Sequence, residues 1–455
     1  MKKLPSAKVH RIIKLATTFL PVLIITVICF IIPLRPTVSE TEKRELAKFP
    51  EFSFSALASG DYFSDISTWF SDTVPFRDSL MGISSKIQNF LGTSGVLAGF
   101  NEGVQGDDIP DTPEGNDAVI ETLPGGETAT NEAVTEEVET FAPEDVTYPE
   151  DEKDAQRVEQ MGSIVVCDNA AFEYYNFVQS TADNYVKAIN TAGVKFASTA
   201  NVYATVVPTS TDITLNEKVR AKLNVSDQKK AIDYMLGSIS SSVRAFNCYD
   251  NIKTHRNEYV YFRTDHHWTA LAAYYAYEIF CQSKGISVLP LSAYEVWSFD
   301  GFLGTFYNDS GKDPALGATP DRVDTYKPPC QYSMTITDKN GSTTSMPLLY
   351  DESSAPASLK YGTFICGDNP LSTITNESLT TGETCLVVKE SFGNAFVPFL
   401  VYHYKTVYVI DYRHYSGSLS SFLASHPVND IIFMNNVSMT RNSKLVGELA
   451  AFIAG

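Results

Sequence analysis

Asp265, His266 and His267, set between Thr264 and Trp268, put one carboxylate and two imidazoles in consecutive positions. Such a cluster can orient a general base, hold a metal or cap a helix. Residues 259–262 ahead of it read as a strand. Trp268, Leu271, Ala272, Tyr275 and Ile279 behind it fall at helical spacing, so the cluster sits at a strand-to-helix junction. If the backbone is still extended there, Asp265 and His267 face one side and His266 the other. A carboxylate beside an imidazole makes an oriented base that then requires a nucleophile. Metal binding is the weaker reading, because no further His or Cys lies at ligand spacing nearby.

The serine the chain offers that base is Ser391. It follows an apolar strand at 385–388 and the pair Lys389 and Glu390, and Phe392, Gly393, Asn394 and Ala395 then open a helix. A serine on that turn is presented at the carboxyl edge of a parallel sheet, where ligands of open α/β folds bind. Backbone N–H groups at the helix start, that of Phe392 among them, could hold an oxyanion. The bland alternative makes Ser391 an N-cap, and Asp265 has the same alternative.

The elements that must position these residues alternate. From Gly162 onward, strands are expected at 163–167, 202–207 and 248–252, and helices at 181–190 and 226–246. Residues 285–380 are less regular, with Tyr332, Met334 and Ile336 alternating ahead of the turn Asp338, Lys339, Asn340, Gly341, a hairpin signal. Strands at 385–388, 406–410 and 430–434 and a helix at 445–453 close the chain. This spacing predicts an α/β domain over 161–455 with a mostly parallel sheet, helices on both faces, and a β-rich insertion at about 285–380.

Ahead of that domain the chain changes character three times. Residues 1–14 carry Lys2, Lys3, Lys8, Arg11 and Lys14, and 15–34 are uncharged and largely apolar. Twenty such residues span roughly 30 Å of hydrocarbon, which predicts a single-pass signal anchor with the bulk of the chain extracytoplasmic. A cleaved signal peptide is the competing reading, although this run is longer than the usual apolar core of about 7 to 15 residues. Residues 35–100 read as a helical lead-in. Residues 101–160 hold 19 Asp and Glu against Lys153 and Arg157, which is 17 of the 19 net negative charges of the chain. That composition predicts a disordered, solvated insertion, with calcium binding by its carboxylates as a lesser alternative. The remainder, 35 acidic against 33 basic residues, forms no basic stripe, so nucleic-acid binding is not supported. Seven cysteines without CxxC spacing argue against zinc or thioredoxin-type chemistry.

The block Tyr261, Phe262, Arg263, Thr264, Asp265, His266, His267, Trp268, Thr269 resembles the signature of the bacterial DHHW protein family. That family is similar to the alginate O-acetyltransferase group, relatives of SGNH hydrolases. Glu45 to Pro50 with Pro75, Phe76, Arg77 and Asp78 resembles its lead-in. Val387, Val388, Lys389, Glu390, Ser391 and Phe392 resemble its serine block, and residues 409–415 its following strand. One departure is Glu390, where the serine block usually has aspartate. The resemblance implies an SGNH hydrolase-like three-layer α/β/α sandwich in which Ser391 is the nucleophile, His267 the base and Asp265 the orienting acid. It makes Gly367, Asn369 and Phe392 oxyanion or substrate-binding candidates, gives His266, Trp268 and Glu390 supporting roles, and implies neither metal nor cofactor. The function it implies is a membrane-anchored O-acyltransferase acting on a cell-surface polysaccharide, with a membrane-bound O-acyltransferase as acyl donor. A carbohydrate esterase of the same mechanism and a non-catalytic glycan-binding protein are the alternatives.

Overall fold

The structure, a computed structural model, describes residues 106–113 and 155–455 together with short pieces between residues 38 and 73. The apolar run 15–34, read as an anchor, and most of the lead-in lie outside the described residues. Among the described residues no helix is long and apolar enough to cross a membrane. The chain divides into two compact units, Met1–Thr93 and Ser94–Gly455. In the first, β1 (Val38–Ser39) pairs antiparallel with β2 (Arg44–Glu45), and Phe49 meets Trp69 edge to face.

The second unit is built on an eight-stranded sheet. Five strands run parallel in the order β14 (Thr406–Asp411), β13 (Thr384–Lys389), β15 (Asp430–Asn436), β6 (Asn201–Val207), β7 (Arg244–Ala245). Every residue of β15 is buried, and β13 is buried from Cys385 on, as expected of parallel strands covered on both faces. Three antiparallel strands, β12 (Leu371–Asn376), β10 (Tyr332–Thr337) and β11 (Thr343–Met346), extend the sheet beyond β14. Five of the eight strands are thus parallel, as expected, and the sheet is mixed because the β-rich insertion joins it instead of standing apart. The hairpin expected at Asp338–Gly341 connects β10 and β11, and the polar, exposed residues of β11 blunt the edge.

Helices pack in two groups. In one, α1 (Gln179–Phe196) lies against α2 (Gln228–Gly237) and the C-terminal α7 (Ser443–Ala454). In the other, α4 (Ala270–Lys284) packs with α3 (Tyr249–Thr254) and α6 (Gly393–Leu400), where Tyr274 and Tyr277 meet Phe399. Between α4 and α6 along the chain, β8 (Glu295–Phe302) pairs antiparallel with β9 (Asp321–Lys327), and α5 (Thr305–Asp309) follows β8.

Several local expectations are corrected. The helix expected over 226–246 ends at Gly237, and the chain turns back to form β7. Residues 248–252 form α3 rather than a strand, with the Asn247 side chain accepting the Tyr249 N–H. Residues 259–262 form no strand beyond a single bridge from Tyr261 to Trp268. Within this segment the Val260 N–H turns to the Glu258 carbonyl, and just past it the buried Asp321 carboxylate accepts the backbone N–H groups of Arg263 at 3.1 Å and Thr264 at 2.8 Å, so no ladder extends from the bridge.

The acidic stretch is not structureless throughout. Val158–Met161 forms β3 of a three-stranded antiparallel sheet with β4 (Ile164–Cys167) and β5 (Ala170–Glu173). Within 106–113, Asp107 donates its N–H to the Phe177 carbonyl and accepts the Gln179 N–H at 2.8 Å. Val178, the N-cap of α1, has no capping side chain, so a carboxylate some 70 positions earlier caps that helix. All six described cysteines are free thiols.

Candidate active site

Ser391 lies two residues past the end of β13, at the carboxyl edge of the parallel strands. It is not an N-cap: α6 starts at Gly393 with no side-chain cap bond. Its hydroxyl points instead to His267, with Nε2 to Oγ at 2.8 Å. His267 Nδ1 meets Asp265 Oδ1 at 2.6 Å, and the same oxygen accepts the His267 N–H at 3.0 Å. Asp265 and His267 are thus paired, but by a carboxylate bonding the backbone two residues on, as in an Asx turn, and not by strand alternation.

The second Asp265 oxygen accepts the N–H of Thr305 at 2.7 Å and its hydroxyl at 3.1 Å. Gly304 permits this approach, since a Cβ there would collide with the Asp265 side chain. Burial pushes the Asp265 carboxyl up. The adjacent His267 and His266 and the bonds to it outweigh that and hold it well below the usual carboxylate range. Asp265 therefore stays anionic beside the imidazole.

Two rings pack on His267. Tyr361 stacks on it at 3.9 Å and 13°, and His266 lies against it at 3.9 Å and 35°. The Tyr361 hydroxyl donates to the Ser391 carbonyl at 3.0 Å, tying the ring that orients the base to the turn that carries the nucleophile. Trp268, fully buried, donates its indole N–H to the Phe392 carbonyl at 2.9 Å.

Glu390 is buried and spans two strand ends. Oε1 accepts the Asn436 N–H at 2.8 Å; Oε2 accepts the Phe392 N–H at 3.0 Å and lies 3.3 Å from Ser391 Oγ. The extra methylene relative to aspartate is what allows the side chain to reach β15. Beneath it, fully buried Lys389 bonds Asp368 at 2.9 Å and Asp411 at 3.1 Å, and Arg413 closes the cluster on both carboxylates.

Each of the oxyanion candidates has a partner within the fold. The Phe392 N–H is held by Glu390 and the Gly367 N–H by the Phe364 carbonyl. The Asn369 side-chain amide is turned back on the carbonyls of Ile365, Cys366 and Gly367. That loop is strained: Ile365, Cys366 and Gly367 all have positive φ, and a β-branched residue there is a true outlier. The donor left beside the nucleophile is the N–H of Ser391 itself, which bonds no acceptor among the described residues.

Two carboxylate clusters could in principle hold a cation, Asp265 with His266 and His267, and Asp368 with Asp411 and His414. In the first, the Asp265–His267 bond already occupies the facing donor atoms. In the second, Lys389 and Arg413 supply the countercharge. Neither is a ready-made metal site.

Residues 42–148 and 130–410 match the family model described as DHHW protein. The chain belongs to the DHHW protein family. Among solved structures it is similar to a DHHW family protein from Eubacterium siraeum, at 26% identity and TM-score 0.60, covering 66% of this chain and 98% of that one. It is also similar to Bacillus cereus PatB1 with a sulfonyl adduct, at 19% identity and TM-score 0.51, covering 65% and 99%. No curated protein matches. Thr305, Gly304, Tyr361 and Asp321, which hold this DHHW block in shape, carry no motif in the sequence. The only signal pointing to them was their position within the irregular stretch 285–380.

Proposed function

We propose that this DHHW protein is a serine-dependent O-acyltransferase whose acceptor is a hydroxyl of a cell-surface polysaccharide. The observation that carries the reading is the unbroken chain of hydrogen bonds from Asp265 through His267 to Ser391. In the first half-reaction His267 Nε2 takes the Ser391 proton as Oγ attacks the carbonyl carbon of the donor ester. The same proton then passes to the departing donor oxygen, leaving an acyl ester on Ser391. In the second half an acceptor hydroxyl gives its proton to His267 and attacks that ester. The Oγ–carbon bond breaks and Ser391 regains a proton. Each tetrahedral oxyanion is met by the Ser391 N–H, and a donor of this kind contributes about 2.7 to 4 kcal/mol.

On this reading the apolar segment 15–34 anchors the chain in the cell membrane, its bulk lies outside, and a membrane-bound O-acyltransferase supplies the acyl group. The test incubates the full-length chain with a chromogenic acyl ester and an oligosaccharide, and analyses the sugar by mass. Acylated sugar from the wild type and none from Ser391→Ala supports the proposal. Free acid with unmodified sugar means that water is the acceptor. Equal acylation by both proteins overturns the mechanism.

A further inference from the structure

His266 is the imidazole that the mechanism leaves unused. Its Nδ1 lies 2.7 Å from Thr305 Oγ1, whose hydroxyl lies 3.1 Å from Asp265 Oδ2. Thr305 has one hydroxyl proton, and the charged carboxylate is the stronger acceptor, so that proton goes to Asp265. His266 Nδ1 must then carry a proton and donate it to Thr305 Oγ1, which leaves the lone pair on Nε2. Asp265 thereby fixes two imidazoles in the same tautomer, His267 directly and His266 through Thr305.

The two rings are in contact, centroids 3.9 Å apart and tilted by 35°. With both Nδ1 atoms turned toward one carboxylate, both Nε2 atoms point away from it. That of His267 reaches Ser391; that of His266 bonds no group among the described residues, on a side chain that is one-third exposed. Burial and the neighbouring His267 push the His266 imidazole below its ordinary value, against the opposing pull of Asp265, Glu173 and Glu390, and this keeps the lone pair free.

Two neighbouring imidazoles with centroids 3.9 Å apart, each with a lone pair on Nε2, can serve a pair of adjacent hydroxyls on a sugar ring. We infer that His266 is a specificity-determining residue: its Nε2 accepts a hydrogen bond from the hydroxyl next to the one being acylated, so that the acceptor is a vicinal diol. The inference rests on the proposed acyl transfer. No bond is made or broken at His266; the reacting proton still travels from the acceptor oxygen to His267 Nε2 and on to Ser391 Oγ.

The experiment loads Ser391 from a nitrophenyl acyl ester and compares acyl transfer to 1,2-cyclohexanediol, cis and trans, with transfer to cyclohexanol. The wild type is expected to favour one diol by roughly fivefold to tenfold beyond the statistical gain from its second hydroxyl, the worth of one hydrogen bond. His266→Phe is expected to erase that preference. Because the ratio is taken within each protein, a general loss of rate cancels. Should His266→Phe fail to fold, Thr305→Val removes the hydroxyl that orients His266 while keeping the backbone bond to Asp265, and it is expected to erase the preference as well. A wild type without preference, or variants that keep it, overturns the inference. A wild type that forms no acyl-Ser391 at all instead overturns the proposed reaction, and the inference with it.

Discussion

Asp265→Asn separates charge and tautomer from shape. The carboxylate takes four bonds, two on Oδ1 from His267 and two on Oδ2 from Thr305. An amide has one acceptor oxygen to offer. If that oxygen faces His267, the new NH2 opposes the Thr305 N–H in a buried site, and leaving such donors unsatisfied costs about 1–3 kcal/mol. If the NH2 faces His267, the imidazole proton moves to Nε2, where it can no longer take the Ser391 proton, and losses of about 10⁴ in kcat are typical of that state. Either way the anion that steadies the imidazolium is gone. The assay is chromophore release from a nitrophenyl acyl ester, with urea unfolding at two pH values alongside. The folded carboxyl is held below its unfolded value of about 3.9, so its contribution to stability is present above that pH and fades as pH falls below it. The stability gap between wild type and Asp265→Asn is therefore larger at pH 7 than at pH 3. A variant within tenfold of the wild-type rate, or a gap that widens on acidification, refutes this reasoning.

Tyr361→Phe keeps the ring on His267 but loses the bond to the Ser391 carbonyl, so its rate should fall by no more than roughly tenfold, the worth of one hydrogen bond. Tyr361→Leu frees the imidazole and should fall further in the same assay. Lys389→Met leaves Asp368 and Asp411 with Arg413 as their remaining cation among these contacts, and unfolding in urea should show a loss of about 3–5 kcal/mol. Asp107→Ala removes the cap of α1 and should lose about 0.5–2 kcal/mol, with faster proteolysis at residues 106–113.

The parts of the molecule legible in the sequence are those with a strong local signal. The apolar runs that became β6, β13 and β15 are buried on both faces and that of β14 on one face throughout, and no periodicity but theirs competes at those positions. Ser391 was legible because a strand, a turn and a helix start fall in order around it. The pairing of Asp265 with His267 does not come from strand alternation: the Asp265 carboxylate bonds the His267 N–H, and Asp321, distant in sequence and silent in pattern, holds the N–H groups of Arg263 and Thr264 just before it. The same holds for Thr305, Gly304 and Tyr361. Gly304 and Thr305 bond the block across 40 positions and Tyr361 bonds the serine turn across 30, contacts that only the folded chain brings together. The oxyanion donors are the least legible part of the site, because spacing says nothing of which N–H groups already have partners. The order in residues 106–113 was missed because composition describes a segment's average, whereas one aspartate and a helix lacking its own cap decide where it docks.

The central claim is that Ser391 is the group acylated. Incubating the full-length chain with a nitrophenyl acyl ester or a sulfonyl fluoride, digesting it and sequencing the peptides by mass tests this most directly. The account predicts one added acyl or sulfonyl group on the Ser391 peptide, absent from Ser391→Ala and strongly reduced in His267→Ala. An unmodified Ser391 peptide in folded protein, or a label that survives in Ser391→Ala, would contradict it.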